Sequence, residues 1–215
     1  MSLTAECDDY FKQVEQGLYA ERFDQEVNLL PFVQAQAFSE QFSGHPTLDA
    51  LGGLILDDPD TSSHHVWVCE SPLAGQVFYL SHDDDSRIVF PSLSAFLTAA
   101  QQALERSCCL SELHPSHTPL CPDQTGLSNF ITHLCGNDEH EEIAIPLIPS
   151  LDLQDFPLLR RLASADNFFL SEVLAQEIKK RPRADLLTIA ELCSAHPHPQ
   201  AAKAGVAALR AIKAL

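Results

Sequence analysis

The stretch that decides the fold is GQVFYLSHDDDSRIVFPSLSAFLTAAQQAL, residues 75–104. Two short runs rich in valine, isoleucine and aromatic residues flank an acidic turn, which is typical of two β-strands joined in a hairpin. Pro91-Ser92 then opens a segment with helical spacing, and Ser92 is the expected N-cap because its hydroxyl can accept a hydrogen bond from a free backbone N–H. The order strand, turn, strand, helix predicts an α+β fold.

Two earlier apolar runs extend this hairpin into a sheet, with strands predicted near residues 54–56, 66–69, 76–80 and 87–90. The links between the runs are short and rich in turn-forming residues, which join sequence neighbours in antiparallel order. A helix over residues 93–105 places an apolar stripe against one face of the sheet. The fold class predicted is therefore α+β: an antiparallel meander packed against helices, followed by an all-helical C-terminal extension.

Helices are predicted on both sides of the sheet. The apolar residues of positions 3–16, continued by Leu18, recur at helical spacing, and Phe32 and Val33 open a second apolar helix after Pro31. Beyond residue 151 the pattern is helical throughout, and LLTIAELCSAHPHPQAAKAGVAALRAIKAL, residues 186–215, resembles one unit of a HEAT-type repeat in its HPHP turn and alanine-rich second helix. We expect an α+β domain over residues 1–150 and a HEAT-like extension over 151–215 that packs on it.

The charge of the chain is strongly negative and uneven. The net charge is −17, with 25 acidic and four basic residues in positions 1–159 (−21) and five acidic and nine basic residues in positions 160–215 (+4). Such a surface repels nucleic acids and anionic membranes and attracts basic proteins, although solubility alone would also explain it. No apolar run reaches the roughly 20 residues that span a bilayer, and the acidic N-terminus MSLTAECDDYF does not read as a signal peptide, so we expect a cytoplasmic protein. Seven cysteines without a framework spacing are expected to be reduced there.

Residues 64–104 resemble the C-terminal half of the core of the SUKH superfamily, which includes yeast cell-wall-synthesis regulators and bacterial toxin-immunity proteins. The residues that carry the resemblance are Val77, Phe78, Tyr79, His82, Asp83, Asp84, Ile88, Val89, Phe90, Ser92, Leu93, Phe96 and Leu97. A further Leu-Pro-aromatic motif of the family is echoed by Leu30-Pro31-Phe32. The resemblance implies a SUKH-like domain over residues 1–150, no catalytic chemistry, and an inhibitor that covers a toxin, often a basic nuclease.

Eight residues are candidates for protein binding. Asp83, Asp84 and Asp85 beside His82 form one acidic turn; adjacent side chains diverge, so the three aspartates suit a basic partner better than a shared metal ion. A solvated turn is the simpler interpretation. The others are Asp57, Asp58 and Asp60 in a second acidic turn, and Trp67 and Tyr79, which either pack in the core or act as exposed aromatic anchors.

Metal and enzyme chemistry find little support in the motifs. His114, His117 and Cys121, with His133 and Cys135 downstream, have suitable residue types for zinc but no CxxC pair. The sequence has no GxSxG elbow, P-loop, dinucleotide-binding fingerprint or HExxH helix. We therefore expect no cofactor and no catalysis.

The predicted function is a non-enzymatic protein-binding module, an immunity-type inhibitor that occludes a basic, nuclease-like toxin. One alternative is a regulatory scaffold that recruits a cellular enzyme through the C-terminal helices. Another is a metal-dependent hydrolase that uses residues 82–85.

Overall fold

The computed structural model of the chain describes residues 3–82, 86–137 and 140–215. The chain forms two compact units, Met1–Pro122 and Asp123–Leu215, which we name the acidic unit and the helical unit. This division falls between residues 122 and 123, whereas the sequence analysis placed a boundary after residue 150. The two expected domains, and the packing of one on the other, stay a prediction.

The acidic unit combines four helices with one sheet in its described residues. Its elements are α1 (Leu3–Val14), α2 (Phe32–Glu40), α3 (Pro46–Leu51), β1 (Gly53–Ile55), β2 (His64–Val68), β3 (Val77–Leu80), β4 (Arg87–Phe90) and α4 (Leu93–Arg106). Short 3-10 turns add Phe23–Gln25 and Leu110–Leu113. The strands lie in the order β1-β2-β3-β4 and every neighbouring pair is antiparallel, so the predicted α+β meander is confirmed.

Side-chain alternation gives the two faces of the sheet different roles. His65 pairs with Tyr79 and Trp67 pairs with Val77, so these four side chains share one face. That face packs on a cluster built from α1 and α4, in which Phe96 is fully buried. The helix that carries Phe96 begins where the sequence predicted, because the Ser92 hydroxyl accepts from the N–H of Ala95 at 3.1 Å.

The helical unit continues the chain with α5 (Gln124–Leu134), α6 (Glu141–Ala144), a 3-10 segment (Ile145–Ser150), α7 (Phe156–Ala163), α8 (Phe168–Lys180), α9 (Leu187–Ser194) and α10 (Pro199–Lys213). A short 3-10 turn, Ala184–Leu186, leads into α9. Asp155 caps α7 and Asn167 caps α8, each accepting from a backbone N–H of the first turn.

Two arginines hold the segment that precedes α7. Arg181 donates to the carbonyls of Leu151 at 2.7 Å and Pro149 at 3.3 Å, and Arg183 donates to those of Asp152 at 3.1 Å and Leu153 at 3.0 Å. Leu153 is buried in a left-handed conformation with φ 61°, which a bulky residue rarely adopts. The guanidinium groups therefore hold a strained turn in place. They connect residues 149–153 to the segment that follows α8.

The last four helices form two successive pairs, α7–α8 and α9–α10. The turns of the two pairs are joined by His196, which accepts from the N–H of His198 at 3.0 Å and donates its other ring N–H to the Ala165 carbonyl at 2.9 Å. Helix α10 crosses α9 so closely at Gly205 that a Cβ there would lie 2.5 Å from the carbonyl carbon of Cys193. Glycine is therefore required at this crossing.

Across the described ranges, every helix is too short or too polar to traverse a lipid bilayer.

Candidate functional site

The two predicted acidic turns have different outcomes. Asp83, Asp84 and Asp85 lie outside the described residues, so their role in binding stays a prediction. In the second turn, Asp60 is exposed in a left-handed conformation with φ 61°, which aspartate tolerates better than most residues. Asp58 is partly buried, and its N–H and carbonyl both bond Asn28. Only part of this turn can therefore contribute to an acidic surface.

Asp57, the first residue of that turn, is buried and not exposed as the sequence predicted: 0% of its surface is exposed. Its backbone pairs in an isolated bridge with Leu29, and its carboxylate contacts His65 of β2. There its Oδ1 accepts from the His65 N–H at 2.7 Å and its Oδ2 lies 2.5 Å from His65 Nδ1. A buried carboxylate needs such donors because it has lost its water. Asp57 therefore offers no charge to a partner at the surface.

A second histidine extends this pair into a chain, which we name the Asp57–His65–His114 chain. His65 is buried, and its Nε2 lies 2.8 Å from the Nε2 of His114, which follows the 3-10 turn Leu110–Leu113. His65 Nδ1 faces the Asp57 carboxylate and therefore carries a hydrogen. Of the two facing Nε2 atoms of His65 and His114, one donates and the other accepts.

The environment keeps His114 uncharged. Burial, followed by the nearby His65 and Arg87, lowers the pKa of His114 from 6.5 to about 3. Tyr10 lies in the same apolar surroundings, where burial and then the Asp57 carboxylate raise the pKa of its hydroxyl well above 10. Burial therefore disfavours the charged forms of His114 and Tyr10.

The two aromatic candidates, Tyr79 and Trp67, pack on the same face of the sheet as His65. The Tyr79 ring lies 4.5 Å from His114 and 5.1 Å from His65, measured between ring centroids. Trp67 is partly buried and packs against the cluster of α1 and α4. Core packing, one of the two interpretations offered by the sequence, accounts for these contacts; a role in protein binding stays a prediction for both.

The chemistry open to the Asp57–His65–His114 chain is limited by access. Asp57 and His65 are 0% and 3% exposed, so a substrate can reach neither. His114 is partly exposed, but a group with a pKa of about 3 is a weak base at neutral pH. The geometry suits a structural connection that fastens the segment after α4 onto the sheet.

The five residues considered for zinc have separate partners or positions. His114 bonds His65, His117 Nδ1 lies 3.0 Å from the Ser116 hydroxyl, and the Cys121 thiol lies 3.3 Å from the Pro72 carbonyl. His133 and Cys135 belong to the helical unit. Among the described residues there is no group of three or more histidine, cysteine or acidic side chains placed to hold a metal ion.

The sequence predicted a helix near residues 3–16, with Leu18 in the same spacing, and a second helix that opens with Phe32 and Val33. Helix α1 ends at Val14 and α2 begins at Phe32, so both helices are confirmed. The side chains of Leu18, Phe32 and Val33 are exposed, and so is that of Phe23 in the intervening turn. Four large apolar side chains therefore face solvent within 16 residues of the acidic unit, which helical spacing alone does not indicate.

Two of these features had a signal in the sequence. A pair of adjacent histidines, His64-His65, directly precedes an apolar run, and such residues enter a core only with hydrogen-bond partners. Leu18 and Phe23 lie between Gly17 and Pro31, both of which interrupt helices, so no helical stripe could run through them. The partner of His65 had no such signal, because His114 follows it by 49 residues.

Compared with protein-family models, with curated proteins and with solved structures, the chain has no match in any of the three.

Proposed function

We propose that this chain is a cytoplasmic, non-enzymatic protein-binding module that inhibits a basic, nuclease-like toxin by covering it, as the SUKH resemblance implies. The observation that carries the proposal is the combination of charge and exposed apolar side chains in one unit. The acidic unit has 18 acidic and four basic residues, a net charge of −14. Aromatic and aliphatic side chains exposed on such a surface are the usual anchors of protein interfaces, and the charge accelerates encounter with a basic partner.

The buried histidine chain supports a binding role over an enzymatic one. Its carboxylate and first imidazole are closed to solvent. Its contribution is to hold the segment after α4, which gives a binding surface a fixed shape. Binding to a fixed surface costs less conformational entropy than binding to a mobile one.

Partner capture with the full-length chain tests the proposal, followed by identification of the bound protein by mass spectrometry. Capture is compared at about 50 mM and about 300 mM salt, because exposed charges are screened beyond about 8 Å at physiological ionic strength. A matched pair of variants separates charge from other effects: Asp8→Asn with Asp60→Asn in the acidic unit, and Asp166→Asn with Glu191→Gln in the helical unit. All four carboxylates are exposed.

The expected result is a basic partner whose retention falls with salt and with the first variant but not with the second, and whose activity is blocked by the chain. A partner retained equally in all conditions would contradict the charge-based proposal. Turnover of a small compound by the purified chain, lost on His114→Gln, would contradict its non-enzymatic part.

A second candidate, a scaffold that recruits an enzyme through its C-terminal helices, is favoured by one observation. Phe169 in the first turn of α8 is 47% exposed, next to Phe168, whose ring stacks on His198. If this candidate is right, Phe169→Ser abolishes capture of the partner and Val33→Ser does not.

A further inference from the structure

We propose that Leu18, Phe23, Phe32 and Val33 form the docking surface for a basic protein segment that carries an apolar anchor flanked by lysine or arginine. We name this surface the apolar ridge. It deepens the proposed binding function by naming the surface and the chemistry of the partner segment, and it therefore rests on that function. The four side chains are 59%, 45%, 39% and 74% exposed, which is more than a buried stripe allows.

The ridge is built on a braced piece of backbone. Residues 19–29 fold back on themselves: Arg22 and Val27 exchange hydrogen bonds at 2.8 and 3.1 Å, and the Leu29 N–H donates to the Tyr19 carbonyl at 3.0 Å. At the tip, the Glu26 carboxylate accepts from the Ser111 hydroxyl at 2.5 Å. Phe23 is therefore presented by a closed and anchored turn.

The other end of the ridge is fixed by aromatic packing and by the sheet. Phe32 contacts Phe11 of α1 edge to face, with ring centroids 5.0 Å apart. The N–H of Leu30 donates to the carbonyl of Leu56 at 2.9 Å. Since both ends are held, the backbone that carries the apolar side chains is already fixed before a partner arrives, which lowers the entropic cost of binding.

The charge of the segment that carries the ridge selects its occupant. Residues 15–40 contain five acidic residues, of which Glu26 bonds Ser111, and one basic residue, Arg22. A second copy of the chain would bring a net charge of −17 against the same sign, and anionic lipids are repelled in the same way. A segment with an apolar residue between basic ones satisfies both the exposed carbon surface and the surrounding carboxylates.

The test uses the full-length chain, labelled with ¹⁵N, and a synthetic peptide that alternates lysine with leucine and phenylalanine. Two control peptides replace either every lysine by glutamate or every apolar residue by serine. The ridge is altered by Leu18→Ser with Val33→Ser, the two most exposed positions, which have little packing to lose. The matched control is Leu120→Ser with Leu215→Ser, whose side chains are 49% and 76% exposed away from the ridge sequence.

We expect the lysine–apolar peptide to shift the amide signals of residues 15–33 and to bind the wild-type chain at least about tenfold more tightly than either control peptide. Leu18→Ser with Val33→Ser should weaken binding about tenfold, which corresponds to about 1.4 kcal/mol, while the matched control stays within about twofold. Thermal unfolding of each variant verifies that the fold is intact.

Three other results would overturn the proposal in distinguishable ways. If the peptide binds the ridge variant as tightly as the wild type, the ridge is not the docking surface, yet the chain still binds basic apolar segments and the proposed function stands. If the wild-type chain binds none of the peptides, the proposed function fails together with the ridge. If light scattering finds a dimer that Leu18→Ser with Val33→Ser dissociates, the occupant is a second copy and the basic segment is wrong.

Discussion

The acidic unit and the helical unit hold buried charge in opposite ways. In the acidic unit the buried carboxylate of Asp57 accepts hydrogen bonds from the backbone and ring of His65, and His65 is in turn hydrogen-bonded to His114. In the helical unit the buried carboxylate of Glu177 accepts from Lys180 at 2.7 Å and Arg181 at 2.9 Å. Imidazole changes its charge near neutral pH, whereas guanidinium does not. The comparison teaches that one chain can stabilise one buried carboxylate with an imidazole and another with an ammonium and a guanidinium group.

The largest effect is expected in the helical unit, from Gly205→Ala. The new Cβ would lie 2.5 Å from the Cys193 carbonyl carbon and 2.7 Å from the Ser194 Cα, both of them backbone atoms that cannot rotate away. We expect the free energy of unfolding to fall by about 3 kcal/mol or more, because overpacking against backbone forces the helices apart. Denaturant unfolding followed by circular dichroism measures the change.

Gly136→Ala is the matched control, since its Cβ would come no nearer than 3.1 Å to the His133 carbonyl oxygen. Its cost should be less than about 1 kcal/mol. Equal costs at the two glycines would contradict the close crossing of α9 and α10.

In the acidic unit, Asp57→Asn should lower the free energy of unfolding by about 3 kcal/mol, because breaking a buried charged network leaves a donor unpaired. The carboxylate accepts two hydrogen bonds from His65, and asparagine has only one acceptor oxygen, so its NH₂ would face an N–H. Asp58→Asn in the same turn is the control and should cost little. A small effect at both positions would show that Asp57 is not held by His65.

The dependence of stability on pH should reveal the burial of His114. The pKa of His114 is about 3 in the folded chain and near 6.5 when unfolded, so only the unfolded chain takes up a proton as the pH falls below 6.5. The folded state therefore loses about 2 kcal/mol between pH 7 and pH 5, at about 1.4 kcal/mol for each pH unit below 6.5. His114→Gln keeps both a donor and an acceptor for His65 without this titration, and its stability should change less over the same range.

His117→Gln is the matched control, because His117 is exposed, and it should keep the wild-type pH dependence. Thermal unfolding between pH 5 and pH 8 provides the comparison. A profile for His114→Gln parallel to that of the wild type would show that His114 does not carry the effect.

The smallest effect is expected for Glu177→Gln. The glutamine loses the charge that Lys180 and Arg181 contact but keeps one acceptor, so we expect a cost of about 1–2 kcal/mol. Because lysine and arginine as residue types do not change charge near neutral pH, that cost should be the same at pH 5 and pH 8. A cost that changes with pH would remove the contrast between the two units.

The fold could be predicted from sequence wherever neighbours along the chain determine it. The meander follows from short turn-rich links between apolar runs, and the start of α4 follows from the capping hydroxyl of Ser92. The environment of Asp57 could not be predicted, because Asp-Asp-Pro-Asp has the composition of an exposed turn. Its burial depends on the bridge to Leu29, 28 positions earlier in the chain, and on the partner His65, which in turn bonds the distant His114.

The candidate site was predicted less completely than the fold. Charge asymmetry indicated which part of the chain is acidic, since it depends on composition alone. The exposure of Phe32 and Val33 depends on where α2 lies, which helical periodicity does not determine, and the same pattern would fit a buried helix. The role of Asp83, Asp84 and Asp85 stays a prediction from their sequence.

The Glu26–Ser111 hydrogen bond has a consequence for how the chain is made. The two residues are 85 positions apart, and the N–H of Ser94 likewise donates to Glu6 across 88 positions. At roughly 5–20 residues per second, a ribosome needs roughly 4–17 seconds to synthesise the chain between Glu26 and Ser111. During that interval Glu26 has no Ser111 to accept from. The turn that carries Glu26 is therefore among the last parts of the acidic unit to acquire its final contacts.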